Sequence, residues 1–210
     1  DRGQGFAMLM PHLSTMRLGT RMLQLRGDIL ASDGDMRGFI DAQAAIARVA
    51  VQPVQDDTLI GSLVGNVIAE VDVMRMQRAI DEGALSQQLA KDAIEALAPI
   101  QGDDPMRFQQ APGHEFELLQ SELKQAAERP HGGRDFYRRV GIDPREADGV
   151  ARASPREMLA ALPAVKPVYD LFGKALGETD PAKARALVQK AEAMVAALQP
   201  PVSSIRMLLP

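Results

Sequence analysis

His114-Glu115 is the pair in this chain whose residue types come nearest to a known chemistry. A His followed by Glu on a helix opens the zinc-hydrolase pattern, which needs a second His four residues after the first so that both imidazoles share a face. That position is Leu118, so the pattern fails. His12 and His131 stand in unrelated contexts. The chain has no cysteine, which removes disulfides, thiolate zinc sites and a Cys nucleophile. The carboxylate pairs Asp56-Asp57 and Asp103-Asp104 have the groups for acid–base work, but both fall where helices need N-caps. Gly3-Gln4-Gly5 and Gly132-Gly133 follow no predicted strand and no Gly-Lys-Ser/Thr is present, so they read as loops rather than phosphate cradles. Ser203-Ser204 has no base nearby to activate it. No catalytic residue, metal site or cofactor is expected.

The least ordinary polar residues are Asn66 and Glu70, one turn apart on an otherwise apolar helix, followed by Arg75 and Arg78. Asn66, Glu70 and Arg75 are the candidate binding residues. Two readings apply to them: satisfying the end of a neighbouring helix, or lining a concave groove. Arg75 and Arg78 can also pair with Glu70 and with Asp81 or Glu82, as a solvated ladder along the helix.

Helices must position all of these. Ala, Leu, Met, Gln, Arg and Glu dominate the 210 residues, aromatics are 4% and Trp is absent, while strand-favouring runs are missing. The fold class is therefore all-α. With 46% hydrophobic residues the chain buries a core, and at net charge −4 with both signs mixed it carries no footprint for nucleic acid. The longest apolar run, Leu59 to Ala69, is interrupted by Asn66 and falls short of the roughly 20 residues a membrane span needs. The start at Asp1 and the apolar end Met207-Leu208-Leu209-Pro210 suit a processed or trimmed fragment, so an absent leader or anchor carries no information.

From Met16 to Ala98 the pattern is four amphipathic helices in two consecutive hairpins. Leu13, Met16, Thr20, Leu23, Gly27 and Leu30 share the core face of the first helix. Gly34 ends that helix and Asp35 caps the next, which shows Phe39, Ile46, Val49 and Ala50 inward. Pro53 ends the second helix and Asp57 caps the third. The third carries Ile60, Val64, Val67, Val71 and Met74 on one face and Leu59, Leu63 and Val73 on another, an arc so wide that cover on two sides is expected. Gly61 and Gly65 read as a close-packing notch. Ser86 caps the fourth helix, with Leu89, Ala93, Ile94 and Leu97 inward. Asp104-Pro105 opens a short segment, Pro112-Gly113 kinks or restarts it, and Phe116, Leu119 and Leu123 form a buried stripe reaching about Glu128. Ser154-Pro155-Arg156-Glu157 is a capping box. Helices then run from Pro163 to Leu176, with Val168, Leu171, Phe172 and Leu176 inside, and from Asp180-Pro181 to Pro200. The expected organisation is a hairpin core over 1–129, a loop-rich connector over 130–153 and C-terminal helices over 154–210 packing on that core.

Leu23, Gly27 and Leu30, then Gly34-Asp35 and an Ala-rich helix with Phe39 and Ala42, resemble the large-small-large rhythm of tetratricopeptide-repeat hairpins, although no 34-residue period repeats. The stretch from Gly34-Asp35 through Thr58-Leu59-Ile60-Gly61-Ser62-Leu63-Val64 to Leu85 resembles uncharacterised helical proteins of planctomycete-type bacteria. That resemblance covers about half the chain. It implies an array of α-hairpins, an N-terminal membrane anchor outside this segment and a place in the periplasm or cell envelope; it brings no activity. The function expected is a non-enzymatic scaffold or interaction module with a protein or peptide partner. The alternative is a small-ligand carrier or enzyme with a pocket between the hairpins and the C-terminal helices. A third reading, a subunit of a larger assembly, would show as a broad exposed apolar patch, for which Ile205 to Leu209 are candidates.

Overall fold

The computed structural model describes residues 9–129, 136 and 154–198, without the side chains of 9–12 and 56. Eight α-helices and no strand occur among the described residues: α1 Leu9–Ser32, α2 Met36–Ala50, α3 Leu59–Asp81, α4 Gln87–Ala96, α5 Ala111–Glu128, α6 Pro155–Ala161, α7 Lys166–Leu176 and α8 Pro181–Ala197. The fold is all-α. The loops at 3–5 and 132–133, His131, the connector 130–153 except Phe136, Ser203-Ser204 and residues 205–209 lie outside the described residues, as do the side chains of His12 and Asp56.

The chain divides into two compact units, 11–107 and 1–10 with 108–210. In the first unit the starts of the helices are set by side chains that accept from backbone N–H groups left open at a first turn. Asp35 accepts from Gly38 N and Ser86 from Leu89 N, as the sequence predicts. The cap of α3 differs. Pro53–Asp56 forms a 3-10 turn that leaves Asp57 in the left-handed region (φ 52°), so the extended residue that caps is Thr58, accepting from Gly61 N at 3.1 Å. Asp57 instead pairs with Arg107 at 3.0 Å. The Asp104-Pro105 segment forms a turn rather than a helix, with Met106 buried.

Packing of α2 on α3 depends on glycine. A Cβ at Gly61 would stand 2.3 Å from the Pro53 carbonyl oxygen, and one at Gly65 2.5 Å from that of Ala50. The notch read from the sequence is therefore real, and it lets two backbones meet where any side chain would force them apart. Phe39 and Ile40 of α2 pack with Met76 and Ala79 of α3 and Ala93 of α4. Arg37 of α2 pairs with Asp92 of α4. Ile94 corrects the expectation for α4: it points outward at 59% exposure, leaving Ala93 as the buried residue of that helix.

In the second unit, α5, α6 and α7 bury Phe116, Leu119, Leu123, Phe136, Met158 and Tyr169 in one cluster, with the Phe116 and Tyr169 rings edge to face at 5.5 Å. The Ser154 capping box forms as predicted, and Asp180 caps α8. Val168 and Leu171 of α7 bury against Ala191 of α8, while Leu176 is exposed. The boundary between units falls at 107/108, so α5 belongs with the C-terminal helices.

Candidate functional site

The candidate site is in the first unit, and the arrangement of α1, α2 and α3 defines it. Leu30 of α1 faces Gly38 at the start of α2, and Gly27 faces Phe39, Ala42 and Gln43. Phe39 meets the end of α3 near Met76 and Ala79, whereas Ala50 meets its start at Gly65. Each consecutive pair is thus antiparallel, so α1 and α3 run parallel. They are joined across the gap by Arg75, whose Nη2 donates to the Gln24 carbonyl oxygen at 3.0 Å and pairs with Asp28.

With 3.6 residues per turn, each of these two helices has opposite faces of opposite character. On α1, Leu13, Thr20 and Gly27 are buried and Met16, Leu23 and Leu30 half-buried, the face the sequence predicts. Diametrically across from them stand Leu18, Met22, Leu25 and Ile29, spaced four, three and four apart and 54–61% exposed. On α3 the buried face is Gly61, Ser62, Gly65, Ile68, Ala69, Asp72, Met76 and Ala79. Ile60, Leu63, Val67, Val71, Val73 and Met74 are 37–64% exposed, which overturns the expectation that α3 is covered on two sides. The physical reason is the notch: α2 comes so close that only Gly, Ser and Ala fit along the start of the contact, and the larger side chains turn away from it.

Because Arg75 bridges to Gln24 and Asp28, the flank of α1 that faces α3 is the row Arg17, Arg21, Gln24 and Asp28, four, three and four apart. The matching row of α3 is Val64, Ile68, Val71 and Arg75. The two exposed stripes therefore point the same way, as two apolar ridges. Large apolar side chains grouped in stripes, rather than scattered singly, are the kind of exposure that marks an interaction site.

The candidate residues are placed as follows. Asn66 and Glu70 are exposed on the flank of α3 away from α1, beside Leu63 and Val67. They line the edge of the ridge. Arg75 does not pair with Glu70; it reaches across to α1. Of the expected ladder, the Arg78 to Glu82 pair forms at 2.7 Å, while Asp81 accepts from Gln77 at 2.8 Å. Arg75, Asp28, Arg78 and Glu82 share the wall of a hollow of about 460 Å³ whose apolar side is Met36 and Phe39. A second hollow, about 540 Å³, runs along the other flank of α1 between Met22, Arg26 and Val49. His114 is in α5, in the other unit.

Among the buried polar residues that sequence reasoning missed are Gln43 of α2 and Asp72 of α3. Both have no accessible surface, and neither side chain has a hydrogen-bond partner among the described residues. Burial pushes the Asp72 carboxyl up to about 7, against the pull of the Arg75 guanidinium one turn along. The signal was present: Asp72 stands between Val71 and Val73, opposite the exposed stripe. In the second unit, burial and the neighbouring Glu115 carboxylate raise the Tyr169 hydroxyl above its ordinary range. No group of three His, Asp or Glu side chains able to hold a metal ion occurs among the described residues. No described helix is long and apolar enough to cross a membrane. Comparison with family models, with curated proteins and with solved structures finds no match to this chain.

Proposed function

We propose that this chain is a helical-hairpin interaction module, akin in architecture to tetratricopeptide repeats, and that it docks a protein or peptide partner on the face made by α1 and α3. One observation carries the reading: two parallel neighbouring helices each turn a stripe of large apolar side chains to solvent, directly opposite a well-buried face. On α1 that stripe has the four–three spacing that seats a partner helix. Leaving so much apolar surface in water is unfavourable by about 25 cal/mol per Å², a cost that a docked partner recovers. The charged groups around the 460 Å³ hollow are engaged with one another as Arg75–Asp28 and Arg78–Glu82 pairs, an arrangement that favours holding helices together over turning over a substrate.

The test is site-specific photo-crosslinking in the native cells. A photoreactive residue at Leu25 or Val67 should capture a discrete protein, and one at the exposed Lys91 on α4 should not. Failure at both face positions, or the same products from all three, would refute the assignment.

A further inference from the structure

The charges beside the apolar ridges narrow the kind of partner. Between Leu9 and Gly27, α1 has three ionisable residues besides His12, and all are arginines: Arg17, Arg21 and Arg26. In a chain of net charge −4 this is a local reversal of sign. All three are exposed, and none makes an ion pair within the described residues. The first acid on the helix, Asp28, is already held by Arg75. Arg17 and Arg21 stand in the row that faces α3. Arg26 stands on the opposite flank, beside Met22 in the 540 Å³ hollow. The α1 ridge is therefore flanked by guanidinium groups on both sides, at the positions that in paired helices select the charge of the partner.

We infer that the partner element is an amphipathic helix whose apolar stripe lies along the α1 ridge and whose flanking positions are rich in Glu or Asp. This deepens the proposed function and rests on the α1/α3 face being the docking surface. A second copy of this chain fits less well. The exposed flank of α3 offers Glu70 as its one acid free of a partner in the described structure, against three arginines, and α1 set against α1 brings arginine to arginine. Carboxylates on the incoming helix give the guanidinium groups planar two-point partners, which a lysine-rich helix or a neutral one does not.

The experiment uses two synthetic helical peptides of about four heptads with one Leu/Ile seam, differing only in Glu or Lys at the flanking positions. Each carries a fluorophore and is titrated with the full chain by anisotropy. Three exposed pairs predict roughly tenfold tighter binding of the Glu peptide at low salt. Added salt should narrow the difference. The variant R17E/R21E, both at exposed helical positions, should reverse the preference while keeping the helical circular dichroism of the parent. Equal binding of the two peptides overturns the acidic-helix inference and leaves the docking face standing. Binding of neither peptide by a monomeric chain overturns both. Self-association in sedimentation equilibrium that L25K abolishes identifies a second copy as occupant and overturns the inference.

Discussion

Replacing Asp72 by Asn should make the protein more stable at neutral and alkaline pH while leaving it unchanged in acid. Asp72 is fully buried, and neither carboxylate oxygen accepts a hydrogen bond among the described residues. Its carboxyl is raised from 3.8 to about 7 by burial, the Arg75 charge only partly offsetting that. Between those two values the folded chain keeps a proton that the unfolded chain has released. Stability therefore falls as pH rises from about 4 to about 7, and levels off above. Three pH units at about 1.4 kcal/mol each set the loss on the order of 4 kcal/mol. Asn has nearly the same shape and no proton to lose, so D72N escapes that loss. Urea unfolding followed by circular dichroism at pH 4 and pH 8 reads the effect. Titration of the other carboxylates cancels in the difference between the two proteins. Parallel stability curves for wild type and D72N across this range, or a D72N less stable at pH 8, would show that the Asp72 carboxylate is solvated and that the reasoning fails.

Three further expectations follow from the same packing. Gly65→Ala should destabilise by about 1–3 kcal/mol, since its Cβ meets a backbone oxygen; Gly19→Ala, with nothing within 4 Å, should stabilise α1 by about 0.5–1 kcal/mol. Both are read in thermal melts, and equal effects would remove the notch. Thr58→Ala should cost about 1 kcal/mol as the loss of the α3 cap, with Asp57→Ala costing less because its ion pair with Arg107 is at the surface; the reverse order in urea titrations would restore Asp57 as the cap. Leu25→Lys and Val67→Lys should change stability by no more than about 0.5 kcal/mol and Ile46→Ala, fully buried on α2, should cost about 2–5 kcal/mol. Comparable losses at all three positions would mean that the two ridges are buried.

The caps Asp35, Ser86, Ser154 and Asp180 were legible because capping is local, an oxygen reaching an N–H two or three residues on. Asp57 was misassigned by one residue because a 3-10 turn precedes α3, and nothing in Pro53-Val54-Gln55-Asp56 distinguishes that turn from an open loop. The stripe Ile60, Val64, Val67, Val71 and Met74 was also legible as a stripe. Its orientation was not, since a helix apolar on most sides offers periodicity without direction. What decides direction is size. Gly61, Gly65 and Ala69 mark the side where another backbone passes, and they carry less hydrophobicity than the side they oppose. Arg75 is one of the candidate binding residues, but its partner Asp28 lies 47 residues away in α1, a distance that helix spacing cannot reveal. The place of α5 in the second unit depends likewise on which distant residues share its core.

Two hydrogen atoms decide what the outer surface of α3 presents. Where Gly61 and Gly65 lie against the Pro53 and Ala50 carbonyls, the helix is locked against rolling about its own axis. A roll of one position in either direction brings Ile60, Ser62, Val64 or Asn66 into contact with those oxygens. The compass bearing of Val67 and Met74 is thus set from behind, at the side of the helix that no visitor touches. Evolution or engineering can accordingly rewrite the outward residues one at a time, altering the surface α3 shows to solvent without disturbing how the helix is held.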